Sequence, residues 1–175
     1  RDWERVQRAI VDAEYAIAQR AFESGRDKKG AERQASFVEA RRLLTRFSEQ
    51  HPLDARNPDI LFSFGEMLYL EEKFAAAREA YGRCVSKYPG KQASSHAQLR
   101  IGEIYESKTF NYLEALRAYK LVTWGSYAPQ ARARIVRLEK KHLALETSRT
   151  YRTGEPATFK LTSRNIEKVR VRIYK

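Results

Sequence analysis

Cys84 is the only side chain in the sequence that could act as a thiolate nucleophile, and three histidines, His51, His96 and His142, are the only imidazoles. A covalent or general-base site needs a nucleophile, a base and an orienting group held together. Cys84 is followed by Val85, Ser86 and Lys87, so no Cys-x-Glu-Gln thioester is present. The histidines share no metal-ligand spacing, and no Gly-rich phosphate loop, Gly-x-Ser-x-Gly elbow or His-Glu-x-x-His pair occurs. Carboxylates are abundant but form no recognisable acid/base pair. The chain reads as non-enzymatic, without a metal or other cofactor, and Cys84 reads as a small buried residue. A different chemistry is open to Arg132, Arg134, Arg137, Lys140 and Lys141, which crowd one side of a predicted helix and could attract a polyanion.

The charge distribution sharpens that second possibility. Of the net +12, residues 1–127 contribute +3 and residues 128–175 contribute +9. Such an asymmetry fits nucleic acid or another anionic partner, or a solvated face that meets a neighbouring domain. A single cysteine excludes an internal disulfide framework. No apolar run approaches the roughly 18 residues of a membrane-spanning helix. Because the chain opens on Arg1, it reads as an excised or processed piece, and compartment stays open.

The elements that must position these groups are mainly helical. Pro58–Glu71 and Lys73–Lys87 read as two helices of a hairpin. Leu61, Phe64, Gly65 and Leu68 fall on one face of the first, and Ala77, Tyr81 and Cys84 on the matching face of the second. Gly65 is mid-helix, where glycine costs roughly 1 kcal/mol against alanine, so a close approach by the second helix must need the missing side chain. Around this hairpin the chain repeats: Ala40 to Ala77, Pro52 to Pro89 and Gly65 to Gly102 are each 37 residues apart. Ala77 to Ala115 and Tyr81 to Tyr119 are 38 apart, which places one inserted residue near Lys108–Asn111. A first, divergent hairpin is expected from Asp2–Ser24, with Trp3, Val6, Ile10, Ala13, Ile17 and Ala21 inward and Gly25 as its stop. Its second helix runs from about Ala31 to Glu49, with Phe37, Ala40, Leu44 and Phe47 inward. The third hairpin joins a helix from about Ala93 to one over Tyr112–Trp124, where Leu116, Tyr119 and Val122 or Leu121 are buried. A seventh helix, Ala128–Glu146, presents Ala131, Ile135 and Leu138 to the stack and closes its end.

The order Leu61, Phe64, Gly65, Leu68, Ala77, Tyr81, Pro89 resembles the tetratricopeptide (TPR) repeat, a helix–turn–helix unit of about 34 residues. The resemblance implies a right-handed α-solenoid of about three TPR-like helical hairpins plus a capping helix, over residues 1–146, followed by a short β-hairpin segment. It also implies a concave groove lined by the first helix of each repeat. Carried onto this chain, the groove residues are Asp59, Phe62, Glu66 and Tyr69, then His96, Leu99, Glu103 and Glu106. Four carboxylates among aromatics would make an acidic trough suited to a basic or apolar segment of a protein or peptide, or to an adjacent domain of the same protein. The basic C-terminal strands of the chain itself are a further candidate occupant.

From Thr147 the pattern changes. Phe159, Leu161 and Ser163 alternate with polar residues, as do Val169, Val171 and Ile173, so residues 147–175 read as a linker and two strands joined through Arg164–Lys168. Tyr151, Gly154, Glu155, Pro156, Arg164, Asn165, Ile166 and Tyr174 resemble the opening of the macroglobulin-type β-sandwich in bacterial members of the α2-macroglobulin family. That resemblance implies the N-terminal region of a larger multidomain protein with an extracytoplasmic location, and strands that begin a β domain.

Overall fold

The computed structural model describes residues 2–148, 150–152, 154–156 and 158–171. Among them are seven helices and two strands: α1 (Asp2–Arg26), α2 (Gly30–Gln50), α3 (Asn57–Leu70), α4 (Phe74–Lys87), α5 (Gln92–Ser107), α6 (Tyr112–Lys120), α7 (Ala128–Glu139), β1 (His142–Glu146) and β2 (Lys160–Arg164). No described helix is long and apolar enough to cross a membrane. Each helix packs on the next, and α3 also packs on α5.

Burial is divided into three successive clusters. The first joins Ala18, Phe22, Phe37, Ala40, Leu44 and Phe47 to Ile60 and Met67 of α3. The second joins Ala77, Tyr81 and Cys84 of α4 to Ala93, Ala97 and Ile104 of α5. The third joins Leu99 to Ala115, Tyr119, Val122, Ala131 and Leu138. α3 is therefore covered on two sides: Ile60, Phe64 and Met67 meet the first hairpin, while Leu61 and Leu68 meet the second. A helix apolar nearly all round is what a position between two neighbours requires.

Gly65 is the contact point of the α3/α4 hairpin. A Cβ there would lie under 3.0 Å from three atoms of the Tyr81 ring, and one at Gly102 would meet Tyr119 in the same way. The loops repeat as well. Asn57 Nδ2 donates to the His51 carbonyl at 2.8 Å, and Ser94 Oγ donates to the Tyr88 carbonyl at 2.5 Å, each pair 37 residues from its counterpart. Asn57, the first residue of α3, thereby ties the preceding loop down.

Four expectations are corrected. α1 turns a different face inward: Val11, Tyr15, Ala18 and Phe22 pack on α2, whereas Trp3, Val6, Ile10 and Ile17 are 71%, 51%, 47% and 55% exposed. Gly25 does not stop α1. It is buried, and a Cβ there would stand 2.5 Å from Phe37 Cδ1, so it serves close packing as Gly65 does. The capping helix ends at Glu139. His142–Glu146 is a strand paired antiparallel with Lys160–Arg164, with Ala144 opposite Thr162. The helix stops there because Asn165, at φ 57°, reaches back: its Nδ2 donates to the carbonyls of Leu138 (2.5 Å) and Lys140 (3.2 Å), which further helical turns would otherwise occupy. Val169 and Val171 are not in a strand, and Ile173 and Tyr174 lie outside the described residues. The link Arg164–Lys168 follows β2 and leads into no strand among the described residues, and both paired strands are solvent-exposed along most of their length.

Candidate functional site

Glu66 follows Gly65 on α3, one position round from the helix contact, so its carboxylate emerges beside Tyr81. The Tyr81 hydroxyl donates to Glu66, and Arg100 of α5 donates twice, from Nε at 2.7 Å and from Nη2 at 3.0 Å. Two parallel N–H bonds to one carboxylate are the strongest arrangement an arginine can make. Arg100 Nη1 also reaches Glu103 at 3.1 Å. From α7, Arg134 bridges Glu103 and Glu106, both at 3.1 Å, and Arg137 pairs with Glu106. The Tyr119 hydroxyl completes the set by donating to Glu106 at 2.7 Å. The result is a continuous alternation of carboxylate and guanidinium across α3, α5 and α7.

Its electrostatics follow from that geometry. Burial alone would lower the Arg100 pKa, but the Glu66 carboxylate outweighs it and holds the guanidinium charged. Burial, with Glu66 alongside, pushes the Tyr81 phenol well above its ordinary value, and Tyr119 is raised by burial and by Glu106. Both hydroxyls therefore stay protonated and act as donors. Asp59, exposed at the start of α3, has its pKa raised by desolvation.

Beside the charges runs an aromatic stack. Phe62 and His96 lie 4.2 Å apart between ring centroids, and His96 and Tyr127 lie 4.1 Å apart at 10°. Tyr69 packs edge-on against Phe74, with the Arg100 guanidinium 4.3 Å from its ring centre. Burial lowers the His96 pKa from 6.5, against the pull of Glu66. Folding thus favours neutral His96, and the sign for stability is set: the contribution is complete above about pH 6.5 and is lost as the pH falls below that value, where the unfolded chain takes up the proton first. Thermal melts of the wild type should drop in Tm between pH 7 and pH 5 by more than those of His96→Phe, which keeps the stack and cannot titrate. Equal slopes for the two proteins would refute this assignment.

Of the expected groove residues, Phe62, Glu66, Tyr69, His96, Glu103 and Glu106 take part in the ladder or the aromatic contacts, whereas Asp59 stands near Tyr15 of α1. Leu99 takes no part either, being 1% exposed within the third cluster. The acidic trough is also corrected, because three arginines neutralise the three glutamates. Arg100 and Tyr127 escaped the sequence reading. A usable signal existed: Gly65-Glu66 and Gly102-Glu103 recur at the same interval of 37, and Arg100 stands three residues before Glu103 on one helix face. The basic set divides, with Arg134 and Arg137 engaged in the ladder while Arg132, Lys140 and Lys141 stay exposed. Cys84 is fully buried, its thiol donating to the Pro58 carbonyl at 3.4 Å, and burial raises its pKa, which suppresses the thiolate. His51 bonds Glu14 at 2.9 Å and His142 lies in β1, so the histidines form no common site.

This arrangement defines a mainly helical, repeat-like protein with a polar and aromatic surface across alternate helices. No protein-family model matches the chain, and no curated protein does.

Proposed function

We propose that the chain is a TPR-like α-solenoid scaffold that binds a protein segment, or a neighbouring domain, across the surface of α3, α5 and α7. The observation that carries this reading is the ladder from Glu66 through Arg100, Glu103 and Arg134 to Glu106. It holds charged side chains in fixed positions on one face, where helix packing alone would not require them. The recurrent glycine–tyrosine contacts and the packing of α3 beside α5 support the repeat assignment. Because Glu66, Glu103 and Glu106 each already have an arginine, a simple polycation would have to displace one of these partners, bidentate at Glu66. A segment that offers an apolar or aromatic anchor to Phe62, Tyr69 and Tyr127, with paired charges around it, fits better.

The test uses immobilised libraries of basic, acidic and aromatic-containing peptides. Aromatic-containing peptides should be retained, and Phe62→Ala with Tyr127→Ala should reduce retention about tenfold or more. Retention confined to acidic peptides or to heparin, and abolished by Arg132→Glu with Lys140→Glu and Lys141→Glu, would instead establish the polyanion reading. That alternative has the weaker basis, since two of its five cations are bound in the ladder.

A further inference from the structure

The face of α1 left uncovered is regular. Trp3, Ile10 and Ile17 recur every seven residues, and Val6 and Ala13 fall between them three residues on, which is the a/d spacing of a coiled-coil seam. The same helix uses a separate stripe, Val11, Tyr15, Ala18 and Phe22, to pack on α2. Hence the outer seam is not needed for the fold, yet an isolated seam of this kind exposes Trp and Ile to water at a cost. Beside Ile17 it runs into a shallow groove with Leu43 and Arg46 of α2.

We infer that this seam pairs antiparallel with the same seam of a second copy of the chain. The stripe is self-complementary about Ile10. A two-fold axis there sets Trp3 beside the second copy's Ile17 and Ile10 beside its Ile10, while Val6 falls level with Glu14, next to the small Ala13. Ala9 and Ala16 flank the seam on one side, with Gln7 and Glu14 on the other, so the helices can approach closely along the alanine side. The ends carry charge as well: Asp2, paired with Arg5 at 3.1 Å, stands in the first turn, while exposed Arg20 stands one turn beyond Ile17. Antiparallel pairing brings Arg20 to Asp2 of the other copy, whereas parallel pairing would set Arg20 against Arg20. The four exposed apolar residues offer on the order of 400 Å² per chain, about half of a standard interface side, so the dimer should dissociate on dilution.

Sedimentation equilibrium of the 175-residue chain over a hundredfold micromolar concentration range tests this. The mass is expected to rise from one chain to two. Ile10→Asp with Ile17→Asp should stay at one chain with unchanged helix content and the Tm of the dilute wild type, since neither side chain is in the core. Ile10→Cys should form a crosslinked dimer on mild oxidation, because Cys84 is buried. Arg20→Asp should weaken dimerisation about tenfold, and Asp2→Arg added to it should restore the affinity. A chain that remains single throughout the range, with the seam left to a different helix, overturns the inference. So does a dimer indifferent to the two aspartates, or a charge swap that fails to restore it.

Discussion

Gly65→Ala is expected to destabilise the protein by about 2 kcal/mol, whereas Gly82→Ala, in the same hairpin, is expected to stabilise it by about 0.5–1 kcal/mol. Both glycines are helical, and in an isolated helix both substitutions would gain up to roughly 1 kcal/mol. The difference lies in what the added methyl meets. At Gly82 nothing stands within 4 Å of a new Cβ. At Gly65 the Cβ would lie under 3.0 Å from the Tyr81 ring, which is fully buried, packed on Phe62 at 5.6 Å and held at its hydroxyl by Glu66. The ring has nowhere to go, so the helices must separate, and overpacking of that kind exceeds the propensity gain. In a chain of this length the two variants should differ in Tm by roughly 5–10 °C, on opposite sides of wild type. Gly102→Ala should repeat the loss through Tyr119. Thermal and urea unfolding decide the matter; a Gly65→Ala protein as stable as wild type would remove the close approach as the reason for the glycine.

Replacing Arg100 with methionine should cost about 2–3 kcal/mol and, at the same time, make the candidate surface acidic. Removing one member of a fully buried ion pair costs roughly 3–5 kcal/mol, because the remaining charge loses its partner. Here the side chains of Arg100, Glu66 and Glu103 are 19%, 15% and 16% exposed, so water recovers part of that loss. Glu66 keeps the Tyr81 hydroxyl, and Glu103 keeps Arg134. Adding Glu66→Gln to Arg100→Met should restore most of the stability, since the amide still accepts from Tyr81 and carries no charge. The single variant should also gain affinity for basic peptides, in a manner that weakens with salt, as an unneutralised carboxylate dictates. Loss of stability that the double variant does not recover would place the role of Arg100 in packing of its stem, not in its charge.

The α3/α4 hairpin was legible because everything it needs lies within about 30 residues of sequence. The stripe Ala77, Tyr81 and Cys84 is buried at its expected spacing, and the glycine–tyrosine contact follows from the size of the two side chains. The interval of 37 carried the same reading to α5 and α6 and into the loops. Periodicity is local, however, and it identifies apolar faces without saying which neighbour covers them. α1 carries two such faces, and the choice between them belongs to Phe37, Ala40 and Leu44 of α2. The face of Trp3, Val6, Ile10 and Ile17 was expected inward because its helical spacing is as regular as that of Val11, Tyr15, Ala18 and Phe22.

The charge of the candidate surface shows the same division. Glu66, Glu103 and Glu106 are visible as a repeated acidic feature, but Arg134 comes from about 30 residues further on and Arg137 from the same helix. Whether an acidic row is a trough or one side of a neutral ladder depends on the distance across a helix interface, which no spacing within α5 encodes. Likewise, His142–Glu146 satisfies a helical and an alternating pattern about equally, and the side chain of Asn165 at the end of α7 decides for the strand. The amino-acid order thus specified the helices, their repeat and the residues that make them approach closely, since these are properties of neighbours in the chain. The exposed seam of α1, the neutralisation of the glutamates and the pairing of the strands arise only when distant segments meet, because each is settled by a partner that local periodicity does not contain.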